Sequence, residues 1–499
     1  MFSSTMAKLH LSPDTVSSRP SQPADGTSSS KRLNALLEGI HKAHLVGICG
    51  SGMKALAEYL SDCQITVTGS DLASSGAMWE AMSERGLKLH QGHQADFVAA
   101  DTQLLIYSPA IGADNPERVS ARNQGIKEYS YTEFLGKLLE TETGICIAGT
   151  HGKSTTTAMT AFILESSRME PSVFVGAELC GRGRSGWAGR GELMVVESCE
   201  YRRHFLNYAP RYAAILGIEA DHFDCYATVD DATVAFGQFA ANVAADGTLL
   251  ISATSPAAVQ AATAAKAHVT TFSCDAPADW WATDVRRTTT GQRFRVFHEG
   301  DFFSELEIDL PGDHNISNAL AATALSHYAG CSPMQIRVAL SRFKGIKRRF
   351  ESVGSYRGVT LIDDYAHHPT AVAKTLAAAR QQFPKRRLWA IYQPHQASRT
   401  TALEAEFVTA LSGADQVIIA RTFAARESSA ADDDRTAVQL AEKLSARKVP
   451  TRYCGALDQL VESLDDALRP GDVLLTMGAG DIDRVHNAFT RRLFRHHAS

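Results

Sequence analysis

From residue 44 onward, short aliphatic or β-branched runs alternate with longer stretches of helical apolar spacing, the pattern of parallel strands joined by covering helices. An apolar run at 44–48, a glycine turn, a helix over 53–61 and a second run at 64–68 predict a βαβ opening. This set continues through an apolar run at 104–107 and closes near 131–142. A second set opens at 145–148 and predicts strands near Val173 and at 193–197, 212–218 and 248–252. Alternating residues at 293–297 and 303–310 suggest an antiparallel annex, followed by a helix over 316–329. A third set predicts strands at 359–363, 387–393, 416–421 and 472–477, separated by alanine-rich helices such as 371–381.

The expected fold class is therefore α/β. It has three domains, each an open, mostly parallel sheet with flanking helices: Rossmann-like at the N-terminus, a P-loop ATPase in the centre and Rossmann-like again at the C-terminus. Residues 1–33, rich in Ser, Pro and Thr and without an apolar period, are expected to be a disordered tail. The domains are then expected at 34–140, 141–345 and 346–499. Ligands of such sheets meet the carboxyl ends of strands, so the motifs just after strands carry the most weight.

Composition narrows the classes. The 499 residues are 44% hydrophobic and 21% charged, with 50 Lys+Arg against 55 Asp+Glu and a net charge of -5. That balance argues against a polybasic nucleic-acid or membrane-surface protein and leaves room for local basic pockets. No apolar stretch approaches the roughly 18 residues that cross a bilayer. Nine scattered cysteines without a Cys-x-x-Cys pair, and no signal-peptide pattern, point to reduced thiols and a cytoplasmic address.

The sharpest chemical signal is Gly149-Thr-His-Gly-Lys-Ser154, directly after a strand and before a helix. In that setting backbone N–H groups and the helix N-terminus surround a phosphate. Lys153 adds a positive charge, and the Ser154 hydroxyl can bind Mg²⁺. Ile147 stands where the usual P-loop has its first glycine. Glu197 ends one apolar strand, and Glu219-Ala-Asp-His222 follows another, so Glu197 and His222 are candidates to hold a second Mg²⁺. His314, Asn315 and Asn318 cluster at the start of a helix, where a plain helix cap is the competing explanation. The first loop, Gly47-Ile-Cys-Gly-Ser-Gly52, is spaced G-x-x-G-x-G, and Ser70-Asp71 ends the second strand where a ribose would be read. A nucleotide diphosphate fits there; a redox cofactor does not follow. In the third set, Lys347-Arg-Arg-Phe350, Asp363-Asp-Tyr-Ala-His-His-Pro369 and Gln393-Pro-His-Gln-Ala-Ser-Arg399 outline a cleft at the domain boundary.

Taken in order over residues 44–481, these motifs resemble the Mur ligase family, together with Ser108-Pro-Ala-Ile111, Asp114-Asn-Pro-Glu117 and Gly478-Ala-Gly-Asp-Ile482. Within that family they are most similar to the members that add L-alanine to UDP-N-acetylmuramate. The resemblance implies an ATP-dependent ligase joining L-alanine to the lactyl carboxylate through an acyl phosphate, with ATP and Mg²⁺ as cofactors. By position, Gly50, Ser51, Gly52, Ser70 and Asp71 would hold the UDP part. Gly149, Thr150, His151, Gly152, Lys153, Ser154 and Thr155 would hold the ATP phosphates. Ser154, Glu197 and His222 would bind metal; His314, Asn315 and Asn318 would face adenine or phosphates. Arg349 would face the γ-phosphate and Asp364 the ribose, with Tyr365, His367, His395 and Arg399 around the amino acid. Lys153, His222 and Arg349 are the implied catalytic set. No nucleic acid and no membrane insertion are expected, and the expected assembly is a monomer or weak homodimer.

The chain departs from the family pattern in places. Gln396 stands where the alanine-adding members usually carry an arginine, and Cys49 and Ala366 replace glycines. The acidic run is reduced to Glu197-Ser-Cys-Glu-Tyr-Arg202, and no lysine follows His222 until Lys266, so a carbamylated-lysine metal ligand is not expected. Three alternatives remain at this level: a recycling ligase attaching a whole peptide to the same UDP-sugar, a nucleotide-binding scaffold without turnover, and an NAD-dependent oxidoreductase. The last leaves the 149–154 loop unexplained.

Overall fold

The structure, a computed structural model, describes residues 34–72, 77–288, 290–423 and 430–489. The expected tail at 1–33 lies outside the described residues. Three sheets follow one another along the chain. The first has five parallel strands in the order Lys88–Gln91, Thr66–Asp71, Lys42–Val46, Leu104–Tyr107, Lys127–Ser130. Strand order reverses between Lys42–Val46 and Leu104–Tyr107, so a crevice opens at their carboxyl ends, where the 47–52 loop lies.

The central sheet has ten strands around Thr143–Ala148, which feeds the 149–152 loop and the helix Lys153–Ser166. Its far end is the antiparallel annex Trp280–Arg287, Gln292–His298 and Asp301–Ile308. The third sheet has six strands. Val359–Asp364, Val473–Met477, Leu388–Tyr392, Gln416–Ala420 and Thr451–Cys454 run parallel, and Glu351–Tyr356 pairs antiparallel at one edge. Neighbouring strand residues point to opposite faces. Ile362, Ala390 and Leu475 enter one apolar cluster, while Leu361, Ile391 and Leu474 enter the other.

The first two sheets share a core. Leu45, Ile106 and Phe134 belong to the same buried cluster as Phe174, Met194 and Phe236. Contact is close enough that a Cβ on Gly186 would lie 2.1 Å from the Ala55 carbonyl oxygen. Glu58 secures this seam, accepting from the backbone N–H groups of Ser185 and Gly186 at 2.9 Å each.

The first strand runs over Lys42–Val46 rather than 44–48, which gives Gly47 and Ile48 to the loop. Gly47 has φ +77, a conformation that ends the ladder there. The helix expected at 316–329 starts earlier, at Asp313, with Gly312 at its N-cap and no side-chain cap. Among the described residues, no helix is long and apolar enough to cross a membrane.

Candidate active site

The 149–152 loop owes its path to two glycines at positive φ, Gly149 at +134 and Gly152 at +83. A Cβ on Gly152 would meet Asn318 Oδ1 at 2.4 Å, so the loop lies directly on the helix Asp313–Tyr328. Asn318 Oδ1 accepts from Thr156 Oγ1 at 3.3 Å, and its Nδ2 donates to Asn315 Oδ1 at 3.2 Å. Asn315 in turn donates to the Pro311 carbonyl at 2.7 Å. The two asparagines thus form one polar ladder beside the loop rather than a helix cap.

Lys153 donates to the Gly149 carbonyl at 2.5 Å and pairs with Glu200 at 2.8 Å. Burial is the largest single influence and lowers its pKa; the Glu200 charge and hydrogen bond, together with Cys199 and Glu197, outweigh it and raise the value. Glu200 shows the converse. Burial would raise it, but Lys153 and then His222 hold it below the ordinary carboxylate range, so both partners stay charged. His222 sits at φ +54, a strained backbone for a non-glycine residue, with Nε2 3.5 Å from Glu200. Ser154 donates to Glu197 Oε1 at 2.9 Å, and Glu197 Oε2 accepts from the Gly176 N–H at 2.6 Å. A hydroxyl and a carboxylate oxygen this close to the loop are hard donors of the kind Mg²⁺ takes, so the donor set fits that ion.

In the first domain, Asp71 accepts from the Cys49 backbone N–H at 2.8 Å and so fixes the loop. The Cys49 thiol is pushed up to about 12 by burial and by Asp71. Gly50, at the N-cap, and Ser51, the first residue of the helix Ser51–Asp62, are exposed. Gly52 allows Tyr131 to approach, since a Cβ there would be 2.8 Å from its ring. Ser70 is not open to the crevice. It is fully buried and donates to Glu117 Oε2 at 2.6 Å; Glu117 also bonds His44 at 2.6 Å and His93 at 2.7 Å.

The third domain brings its own groups. Arg349 lies between Arg348 (φ +58) and Phe350 (φ +49), two left-handed residues that turn it toward the Tyr365 ring, 4.9 Å away. Arg348 anchors the turn by donating to the Gly478 carbonyl at 2.8 Å, the Gly480 carbonyl at 2.9 Å and Asp363 at 3.1 Å. Asp364 receives the N–H groups of Phe350 at 2.7 Å and Ala366 at 2.8 Å. Burial nonetheless pushes it up to about 6, against the pull of Arg349 and those two amides. The adjacent histidines diverge. His367 bonds the Tyr365 carbonyl at 2.9 Å and faces His395, whereas His368 reaches the Ala220 carbonyl at 3.1 Å. His314 is half-buried; burial first, then Lys374, Arg349 and His151, lower it to about 4.

Three consecutive central-domain residues clasp the third domain. Glu219 accepts from Thr370 Oγ1 at 2.7 Å, Ala220 offers its carbonyl to His368, and Asp221 Oδ1 accepts from Arg399 Nη2 at 2.7 Å and Nε at 3.0 Å. Arg399 also meets His395 Nδ1 at 3.0 Å. His151, Glu219 and His368 have ligand atoms within 4.8 Å of one another. Each already has a protein partner, and the triad serves as part of the clasp. A cavity of about 1010 Å³ opens beside it, lined in part by Glu219, His368, Thr370 and Arg380.

Sequence reasoning missed Glu200, Asp221, Thr370 and Arg348. Glu200 and Asp221 stood inside motifs already singled out, and only the fold reveals their partners Lys153 and Arg399. Glu117 was legible as part of a motif, but not as the hub of a buried network.

Comparison with known proteins matches three family models to the chain in order. They are the Mur ligase family catalytic domain at residues 42–143, the Mur ligase middle domain at 147–326 and the Mur ligase glutamate ligase domain at 348–480. A UDP-N-acetylmuramate--L-alanine ligase from Desulfitobacterium hafniense is 38% identical over 89% of this chain and 98% of its own length. One from Salinibacter ruber is 36% identical over 93% and 97%. Among solved structures, UDP-N-acetylmuramate-alanine ligase from Thermotoga maritima superposes with TM-score 0.78 at 26% identity, covering 91% of this chain and 99% of that one. A murein peptide ligase from Psychrobacter arcticus shares the fold, with TM-score 0.68 at 24% identity over 91% and 98%.

Proposed function

The chain belongs to the Mur ligase family, and from that premise we propose that it is an ATP-dependent amide-bond ligase adding L-alanine to the lactyl carboxylate of UDP-N-acetylmuramate in peptidoglycan precursor synthesis. The observation that carries the reading is the cleft itself. A phosphate-type loop carries a charged Lys153 held by Glu200, and the 219–221 segment of the same domain holds the Arg399 corner of the third domain. We assign domains 34–140 to the UDP-sugar, 141–345 to ATP and 346–499 to the amino acid. All nine cysteines are free thiols, which suits action in the cytoplasm, where the nucleotide substrates are found.

A carboxylate is a poor acyl donor at neutral pH. In the first step a lactyl carboxylate oxygen attacks the γ-phosphorus of ATP, the bond to the ADP oxygen breaks, and an acyl phosphate forms. In the second, the amine attacks the acyl carbon, phosphate leaves with that oxygen and the bonding pair, and the nitrogen loses a proton to give the amide. Lys153 and Arg349 would neutralise charge that otherwise keeps two anions apart. Asn315 and Asn318 would stiffen the loop that cradles the phosphates, with His314 neutral beside them, and Asp364 would stand at the ribose. His222, held by Glu200, would face the reacting oxygens. Mg²⁺ bound through Ser154, Glu197 and His222 would supply further charge neutralisation. Gly50, Ser51, Gly52 and Asp71 would hold the UDP part, Ser70 acting from beneath through Glu117. Closure through the clasp would keep water from the acyl phosphate.

The test is phosphate release by the purified protein with Mg²⁺-ATP and UDP-N-acetylmuramate, offering L-alanine, glycine, L-serine or the cell-wall tripeptide singly, with product masses measured. Turnover with L-alanine is expected. Turnover with the tripeptide alone would move the assignment to the recycling ligase, and silence with all four would refute a ligase altogether.

A further inference from the structure

The third sheet carries a buried polar chain that ends beside Arg349. Residues 484–489 are helical, and Ile482, Val485 and Phe489 are buried in the same apolar cluster as Leu361 and Leu474 on one face of that sheet. His486, between Val485 and Phe489 in sequence, is itself only 2% exposed. An aliphatic residue would fill this place without a polar atom to satisfy, so the imidazole calls for an explanation. It lies beyond residue 480, where the matched glutamate ligase domain ends.

Its bonds run inward. Nε2 lies 3.1 Å from the Ile362 carbonyl oxygen and 2.6 Å from Thr476 Oγ1. A carbonyl only accepts, so Nε2 carries a proton; burial lowers the pKa of His486 to about 4, which leaves the ring neutral with that one N–H. Thr476 Oγ1 donates in turn to Asp363 Oδ1 at 2.6 Å, the two residues being register partners on neighbouring strands. Asp363 Oδ2 accepts from Arg348 Nε at 3.1 Å. Thr476 and Asp363 are both buried, so bulk water does not reach these links. The other Arg348 guanidinium nitrogens hold the Gly478 and Gly480 carbonyls, and the Arg348 carbonyl receives the Tyr365 N–H at 2.7 Å. Arg348 and Phe350, at φ +58 and +49, are strained, and such backbone persists only where its surroundings over-determine it. The chain from His486 supplies that determination from beneath the turn.

We propose that His486 is a positioning residue for Arg349. Its Nε2–H orders the Thr476 hydroxyl, that hydroxyl orients Asp363, and Asp363 fixes the Arg348 guanidinium, whose grip on the 478–480 loop holds the left-handed turn that presents Arg349 to the γ-phosphate. His486 touches no substrate in this role. This rests on the ligase reading above, which gives Arg349 its task.

The test is steady-state kinetics of wild type, His486→Leu, His486→Gln and Thr476→Val, together with Arg349→Ala alone and combined with His486→Leu or Thr476→Val. His486→Leu and Thr476→Val, which break the chain at successive links, should each lower kcat/KM for ATP at least about tenfold while the UDP-N-acetylmuramate KM moves less than about twofold. His486→Gln, whose Nε2 can donate in the same place, should recover most of the loss. In the Arg349→Ala background neither change should cost anything further, because the effect passes through Arg349. Unchanged ATP kinetics, equal losses for Leu and Gln, or a loss that persists without Arg349 overturns the proposal. Should His486→Leu fail to fold, Thr476→Val decides by the same criteria in both backgrounds. Wild type that turns over while the variants match it sinks this inference alone; wild type with no amino-acid turnover sinks the ligase reading as well.

Discussion

Replacing Asp221 by Asn changes one charge and almost no volume, and it strikes the strongest point of the domain clasp. Asp221 Oδ1 accepts three N–H groups, from Arg399 Nη2 at 2.7 Å, Arg399 Nε at 3.0 Å and the His222 backbone at 2.7 Å. His222 and Arg399 hold its carboxyl far below the usual range despite burial, so the native pair is charged at neutral pH. Deleting one partner of a buried pair costs about 3–5 kcal/mol. Asparagine keeps an oxygen in place and loses only the charge, so about 2–3 kcal/mol is the expected loss. The remaining clasp bonds, Thr370 to Glu219 and His368 to the Ala220 carbonyl, contribute about 1 kcal/mol each. The ion pair therefore holds the third domain more strongly than either of them, and its loss corresponds to roughly 30- to 150-fold in that domain's docking equilibrium. Small-angle scattering, or energy transfer between dyes on the central and third domains, reads this directly. Asp221→Asn should expand the ligand-free protein and raise the L-alanine KM, with Arg399 no longer oriented. An unchanged radius of gyration together with an unchanged KM would refute the reasoning.

Other consequences are smaller in scope. Lys153→Ala should lower ATP turnover by roughly 100- to 1,000-fold or more, measured as ADP formation, because Lys153 is the charge in the loop. Gly152→Ala places a Cβ 2.4 Å from Asn318 Oδ1 at φ +83, so the ATP KM should rise at least about tenfold while UDP-sugar binding, followed by calorimetry, holds. His314 is held at about 4, below its ordinary 6.5. As pH falls the unfolded chain takes up this proton first. The stability His314 confers is thus full above 6.5 and lost as pH drops toward 4, up to about 3 kcal/mol. Urea midpoints measured from pH 7 to 4.5 should fall less steeply for His314→Gln than for wild type; equal slopes would contradict this.

The sequence was most legible where backbone chemistry is local. The 149–154 loop needs two positive-φ glycines between a buried strand and a helix, and that requirement is written in consecutive letters. The buried strands Leu388–Tyr392 and Val473–Met477 are almost wholly apolar runs, Thr476 being the exception, and stood out for the same reason. Edge strands did not. Lys88–Gln91, Lys127–Ser130 and Thr451–Cys454 are short and largely polar, and only their neighbours in the sheet make them strands. The site divides the same way. Lys153 and Arg399 could be picked out as cations at strand ends, but their partners Glu200 and Asp221 lie 47 and 178 residues away and are set by domain packing. Ser70 illustrates the opposite error. Its place after a strand suggested a ligand contact, while the hydroxyl turns inward to Glu117 because α-helical residue Glu117 is buried beneath the crevice.

The measurement that bears most directly on the acyl-phosphate mechanism follows oxygen. With UDP-N-acetylmuramate carrying ¹⁸O in the lactyl carboxylate, Mg²⁺-ATP and L-alanine, the acyl-phosphate route predicts one labelled oxygen in each phosphate released, in step with amide formation. Released phosphate without label, or phosphate formed at the same rate when the UDP-sugar is omitted, would contradict it.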